Sequence, residues 1–319
     1  MRRCRRFPVR NGSGMVVSVG TVVASSLHPS VVEEEDGRER TFDPGSLPVR
    51  AACFVNQRAG RIGLMTTIPT LRDPEGIHNF REVGPYPLRG GGTFRPGMIY
   101  RAGALEQMTA EDAAYLSEEL ALRTILDLRH HDEIAMRVGP HPLEDRVRFN
   151  SIFPDHVRQE ELIAELNGLY GVGISPQRYL HYLEIGGDRL ARAFSLFADE
   201  ANYPFLVHCT AGKDRTGVLI GMLMDVAGVA PEDIAHEYGL SDRSIDRLLA
   251  YLRKSGRVLE GSEQEIRARL ATPPEKMAGF LELLYEKHGS AREFFLSQGV
   301  SEETVERVRS ILTTNQKAG

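Results

Sequence analysis

The 319 residues contain no tryptophan and only three cysteines, at positions 4, 53 and 209. So sparse and odd a set is no disulfide framework, which points to a reducing, cytoplasmic compartment. No run approaches the ~20 apolar residues of a membrane-spanning helix, so no integral membrane segment is expected. The nearest, Met15–Ala24, follows an arginine-rich start and imitates a weak signal peptide. Export is therefore the lesser alternative to a cytoplasmic location. Strong charge of one sign is also missing, since the formal net charge is −5. A nucleic-acid partner usually needs a basic face, and none is expected. Net charge averages over the whole surface, so a locally basic pocket, or contact with a membrane surface, stays open.

What is present describes an ordinary globular chain, 41% hydrophobic and 26% charged. Such a chain buries a sizeable core without metals or disulfides. Its charge is uneven. Residues 1–64 carry ten arginines against six acidic residues, a balance of +4, which leaves −9 for the remainder. That stretch shows no lasting helical or strand period and holds the run Glu33–Asp36 and the turn-formers Asp43-Pro44-Gly45. It reads as a disordered extension or a mis-assigned start, with a folded domain over 65–319.

From residue 66 onward, apolar runs alternate with helical patterns. Met98–Tyr100, Thr124–Leu128 and Phe205–Cys209 read as buried strands, with Val147–Ile152 as a fourth. Thr109, with Asp112 three residues on, opens one helix, and another covers about 176–198. Strands separated by helices argue for an α/β fold with a parallel sheet covered on both faces. The C-terminal third is a helical layer. There Ser241 is expected to cap a helix, Thr272–Glu275 reads as a capping box, and Ser301 starts the last helix.

His208-Cys209-Thr210-Ala211-Gly212-Lys213-Asp214-Arg215-Thr216-Gly217 lies between the strand FLVHC and the apolar segment 218–227. Strand, tight loop and buried helix place Cys209 at the carboxyl end of a strand, where parallel sheets bind ligands. Backbone amides of 210–215 can form an anion nest at the helix N-terminus, which suits a phosphate and favours a thiolate. Cys209 is thus the nucleophile of a phosphate-ester hydrolase, attacking phosphorus as an anion. Arg215 offers a planar fork for two phosphate oxygens. Gly212 permits positive φ, Gly217 a close helix approach, and Thr216 a hydrogen bond to the sulfur. His-Cys-x-x-Gly-x-x-Arg-Thr-Gly arises by chance with odds on the order of 10⁻⁶ in such a chain.

This loop resembles that of protein tyrosine and dual-specificity phosphatases. Its form is similar to that of the mycobacterial tyrosine phosphatase B class, which also includes bacterial lipid phosphatases. His78–Gly84, Arg95–Gly103 and Leu126–Arg129 with Glu133 resemble further segments of that class. The resemblance covers roughly residues 66–312 and departs from the class where Gly84-Pro85 replaces paired glycines. It implies a metal-independent phosphomonoesterase with no cofactor, with Asp214 as the acid that protonates the leaving oxygen. Asp127 and Asp155 are rivals for that role, although an aspartate ending a strand more often binds amides of the next turn. Ala-Gly-Lys-x-Arg also occurs in phosphoinositide phosphatases, so Lys213 implies positive charge for a polyanionic headgroup. Phosphotyrosyl or phosphoseryl protein and phosphoinositide are both open as substrates.

His208 is read as orienting the loop rather than acting as a base. His130-His131-Asp132-Glu133 is read as a helix start, because adjacent histidines on a regular element do not share one site. Another class of reading is a catalytically weak phosphoprotein- or lipid-binding module using the same loop. A sulfurtransferase or arsenate reductase does not require His208, Thr216 and Gly217 together.

Overall fold

Four apolar runs become the parallel part of a five-stranded sheet. The computed structural model describes residues 72–137 and 139–314. The expected extension over 1–64, with Cys4 and Cys53, lies outside the described residues. In chain order the strands are β1 Arg81–Glu82, β2 Thr93–Phe94, β3 Ile99–Ala102, β4 Thr124–Asp127, β5 Val147–Phe149, β6 Phe205–His208 and β7 Thr313–Thr314. The sheet order is β1-β3-β6-β4-β5. Only β1 runs antiparallel, and β2 and β7 pair separately. The sequence gives no sign of that antiparallel edge, because β1 is two residues long and charged.

The helices are α1 Ala110–Ala114, α2 His131–Ala135, α3 Gln159–Tyr170, α4 Pro176–Ser195, α5 Asp214–Ala227 and α6 Pro231–Gly239. They continue as α7 Ile245–Lys254, α8 Glu263–Leu270, α9 Pro274–His288, α10 Ala291–Ser297 and α11 Glu302–Leu312. Side chains alternate across the pleat. Ile99, Leu126, Phe205 and Val207 join the larger core with α4, α5, α9, α10 and α11. Tyr100, Ala102, Ile125 and Leu206 face a smaller core with Leu105, Leu116 and Leu122. Helix α5 packs against α4, α6, α10 and α11, and every residue from Arg215 to Ala227 is buried. Its all-round apolarity needs that position.

The local readings hold where no distant partner competes. Thr109 and Asp112 form a reciprocal capping box, and Ser301 accepts from the amide of Thr304. Two others are corrected. Ser241 lies in a tight 3₁₀ turn before α7, and its hydroxyl accepts from Arg81 instead of capping a helix. Thr272 donates its hydroxyl proton to Asp242 at 2.6 Å, and α9 starts behind Pro273 without a side-chain cap. Strand β5 stops at Phe149, short of the expected Ile152. It is an edge strand, with Arg148 and Phe149 exposed.

Candidate active site

Strand β6 delivers Cys209 to the sheet's carboxyl edge, where it is 2% exposed, and α5 begins five residues later at Asp214. Between them the chain must turn tightly against β3. Gly212 makes this possible: it has φ +66°, and a Cβ there would lie 2.1 Å from the carbonyl oxygen of Ala102. No other residue fits. At Gly217 a Cβ would lie 2.9 Å from the Tyr238 ring, so the glycine lets α5 approach α6.

The loop's carbonyls are held by residues far away in the sequence. His78 Nε2 and the Ala104 amide each donate to Thr210 O at 3.0 Å. Burial pushes His78 down to about 4, so it is neutral and donates through Nε2. Asn79 Nδ2 donates to Ala211 O at 3.0 Å and to Gly212 O at 2.9 Å. Arg101 Nη2 donates to Gly212 O at 2.7 Å and Lys213 O at 3.3 Å. These peptides are trans, so each amide points away from its own tethered carbonyl. The amides of 211–214 thus each point away from a tethered carbonyl, as the expected anion nest requires.

Arg101 is fully buried in an apolar strand and is paired with Glu237, which Arg81 Nε also reaches at 2.8 Å. Burial alone would raise the Glu237 carboxyl, but Arg101 and Arg81 outweigh it and hold it below the usual carboxylate range. Arg81 Nη1 also donates to Asn79 Oδ1 at 2.5 Å, which fixes the amide that grips the loop.

Arg215 is aimed by Glu133. Its Nη1 and Nη2 donate to Oε2 and Oε1 at 2.5 and 2.9 Å, and its guanidinium lies 5.5 Å from the Phe153 ring centroid. Thr210 Oγ1 donates to the same carboxylate. Burial would raise Glu133, but the charge of Arg215 and these hydrogen bonds hold it well below the usual range. Helix α2 presents Glu133 from its first turn, behind the cap made by His130 Nδ1 to the Asp132 amide. The His130 stretch is thus the expected helix start. The reason given from sequence was wrong, however: His130, His131 and Asp132 bring their ligand atoms within 4.8 Å of one another. His130 uses both nitrogens structurally, with Nε2 donating to Pro154 O at 3.3 Å.

The acids separate by environment. Asp214 lines a cavity of about 320 Å³ together with Thr210, Ala211 and Lys213. Its Oδ1 accepts from Tyr179 Oη at 2.6 Å. Asp127 is buried, with both oxygens taken by the amide and guanidinium of Arg129. Burial would raise it, but nearby His208 and Arg129 hold it below the usual range. Asp155 is exposed and paired with Arg189 at 2.9 Å.

His208 is fully buried, with Nε2 3.5 Å from Asp127 Oδ2, and burial lowers its pKa. Lys213 is buried and donates to Leu270 O at 2.6 Å. Thr216 Oγ1, expected on the sulfur, is buried and has no hydrogen-bond partner among the described residues. Sequence reasoning assigned no role to Asn79, Arg101, Glu133, Tyr179 or Glu237. One signal was available, a charged Arg101 inside an apolar strand, which demands a buried partner. Tyr179 carried no comparable mark.

Comparisons with known proteins give the family. A model of the tyrosine phosphatase family matches residues 73–314. The triple specificity protein phosphatase PtpB of Mycobacterium tuberculosis is 27% identical over 282 residues, covering 76% of this chain and 99% of that protein. A tyrosine-protein phosphatase of Nostoc commune is 25% identical, covering 66% of this chain and 72% of that one. The inositol diphosphatase SIW14 of Saccharomyces cerevisiae is 34% identical over 102 residues, 30% of this chain and 36% of that protein. This chain belongs to the tyrosine phosphatase family and is a phosphatase.

Proposed function

We propose that the protein hydrolyses phosphate monoesters in two steps through a phosphocysteine on Cys209, without a metal or cofactor. The observation that carries this reading is the tethering of four successive carbonyls, 210 to 213, by residues outside the loop. Amides facing the other way stabilise a phosphate and the charge that develops on its equatorial oxygens. In the first step the Cys209 sulfur bonds to phosphorus as the ester P–O bond breaks. Arg215 holds two phosphate oxygens, and Asp214 gives a proton to the leaving oxygen. In the second step water attacks phosphorus and loses its proton to Asp214, and the sulfur–phosphorus bond breaks as Cys209 departs as a thiolate.

The substrate we assign is a phosphorylated protein or a phosphoinositide. A relative named a protein phosphatase supports the first, and one named an inositol diphosphatase supports an inositol-bearing headgroup for the second. Arg178, Arg257 and Arg269 at the cavity beside the loop suit an acidic substrate. The domain we assign to this chemistry is 65–319, supported by the family match over 73–314.

Acid quenching of a reaction with radiolabelled substrate in excess EDTA tests the mechanism. Label is expected on the protein, and Cys209→Ser should abolish it, with turnover lowered about 10⁴-fold or more. Binding of inorganic phosphate, measured by calorimetry, should survive the substitution. Turnover without any labelled protein would remove the covalent step. Phosphate binding without turnover in the unmodified protein would leave a binding module. A panel of phosphotyrosyl and phosphoseryl peptides and phosphoinositides, compared by kcat/KM, decides the substrate.

A further inference from the structure

Behind Asp214, two tyrosines lie end to end in the larger core. Tyr179 on α4 is fully buried, and Tyr238 on α6 is 1% exposed. Their hydroxyls are 2.7 Å apart, and Tyr179 Oη lies 2.6 Å from Asp214 Oδ1. A phenol has one proton to give. Tyr179 gives its proton to the carboxylate, so the contact with Tyr238 is made by the Tyr238 proton. Burial raises both phenols well above their ordinary value, so neither ionises at working pH. The chain of donors therefore runs one way, from Tyr238 to Tyr179 to Asp214. Tyr179 has little freedom to turn away, because its ring meets Tyr238 and Phe280 edge to face with centroids 6.0 and 5.9 Å apart.

We propose that Tyr179 is a positioning residue for proton transfer at Asp214, backed by Tyr238; this rests on the reading of Asp214 as the acid. By occupying Oδ1 it leaves Oδ2 to carry the transferable proton. The nearest charged group to Oδ2 is Lys213 Nζ at 3.9 Å, beyond hydrogen-bond length. As the ester bond breaks, the proton moves from Oδ2 to the leaving oxygen and Asp214 becomes a carboxylate. The Tyr179 hydrogen bond is then charge-assisted, and so stronger than it was to the neutral acid. An interaction that strengthens along the reaction accelerates it. In the second step the same carboxylate takes a proton from the attacking water.

Tyr179→Phe keeps the ring and its packing while removing the donor. With an alkyl phosphate, whose oxygen must be protonated to leave, kcat should fall about 10- to 100-fold at unchanged KM. With para-nitrophenyl phosphate the loss should be several times smaller. In an Asp214→Asn background, Tyr179→Phe should add no further dependence on the leaving group. Equal losses on both substrates, or none, would reduce Tyr179 to a packing residue and overturn the proposal. If Asp214→Asn itself showed no leaving-group dependence, the reading of Asp214 would fail, and the proposal with it. Thermal melting checks the fold. If Tyr179→Phe does not fold, Tyr238→Phe, one bond further back, should show the same dependence at smaller size, and its absence would overturn the idea.

Discussion

Cys209 to Arg215 form the loop to which we assign the chemistry, with Arg215 held by Glu133. The collar of His78, Asn79 and Arg101 grips the carbonyls of that loop, with Glu237 paired to Arg101. The two regions are also written differently. The loop is one contiguous segment whose residue types answer to chemistry. The collar's partners lie 111 to 133 residues away from the carbonyls they hold and answer only to the cost of a buried unpaired polar group. Changes in the loop should therefore act on rate, and changes in the collar on stability.

The largest expected effect that tests this division is within the loop. Asp214→Asn keeps the size of the side chain and removes the transferable proton. It should cost about 10²–10⁴-fold in kcat with alkyl phosphates, and much less with para-nitrophenyl phosphate, whose nitrophenolate leaves largely unaided. Its unfolding midpoint in urea should stay near that of the unmodified protein. Asp155→Asn should show neither effect, since Asp155 is exposed and tied to Arg189. If the leaving-group dependence followed Asp155 instead, the acid would lie on a loop remote from the phosphate nest.

The contrast explains what the sequence could reveal. Loop chemistry demands particular residues at fixed spacing over ten consecutive positions, so Cys209, Gly212 and Arg215 stand out without any structure. The sheet was legible for a similar reason, because apolar runs of strand length leave few alternatives. Collar residues are specified by a partner more than a hundred positions away, and nothing local encodes that distance. The same blindness misplaced Ser241 and Thr272. Both are good helix caps by local rules, and both hydroxyls serve distant charged groups, Arg81 and Asp242. Tyr179 was hidden differently. On a helix, a tyrosine among apolar residues looks like core, and only the 2.6 Å contact with Asp214 shows its polar end at work.

Substitution in the collar should give the opposite signature. Arg101→Met keeps an apolar stem of similar length and removes a guanidinium that serves Gly212 O, Lys213 O and Glu237 together. Breaking a buried ion pair from one side costs about 3–5 kcal/mol. The lower end is expected here, because Arg81 still reaches Glu237 and Asn79 still holds Gly212 O. Urea unfolding should show the loss. The fraction that remains folded should keep kcat/KM within about tenfold (~1.4 kcal/mol). A variant as stable as the unmodified protein but inactive would mean that Arg101 acts on the reaction, and the division into loop and collar would collapse.

Lys213 sits on the boundary between the two regions and should give the smallest effect. It belongs to the loop by sequence, yet its ammonium is buried and donates to Leu270 O, the last residue of α8. Carbonyls at a helix C-terminus lack partners within the helix and favour a cation, so the lysine fastens α8 to the loop. Its charge also lies at the edge of the cavity, 3.9 Å from Asp214 Oδ2. Lys213→Met keeps the stem and removes both contributions. Stability should fall by about 1 kcal/mol, the usual size for one hydrogen bond. For a polyanionic inositol phosphate, kcat/KM should fall about tenfold (~1.4 kcal/mol), and for para-nitrophenyl phosphate less than about threefold. The difference between substrates is the measurement that matters, since a fastening role alone would disturb the loop equally for both. Equal losses, together with the lower stability, would move Lys213 into the collar and leave the cavity arginines to read substrate charge.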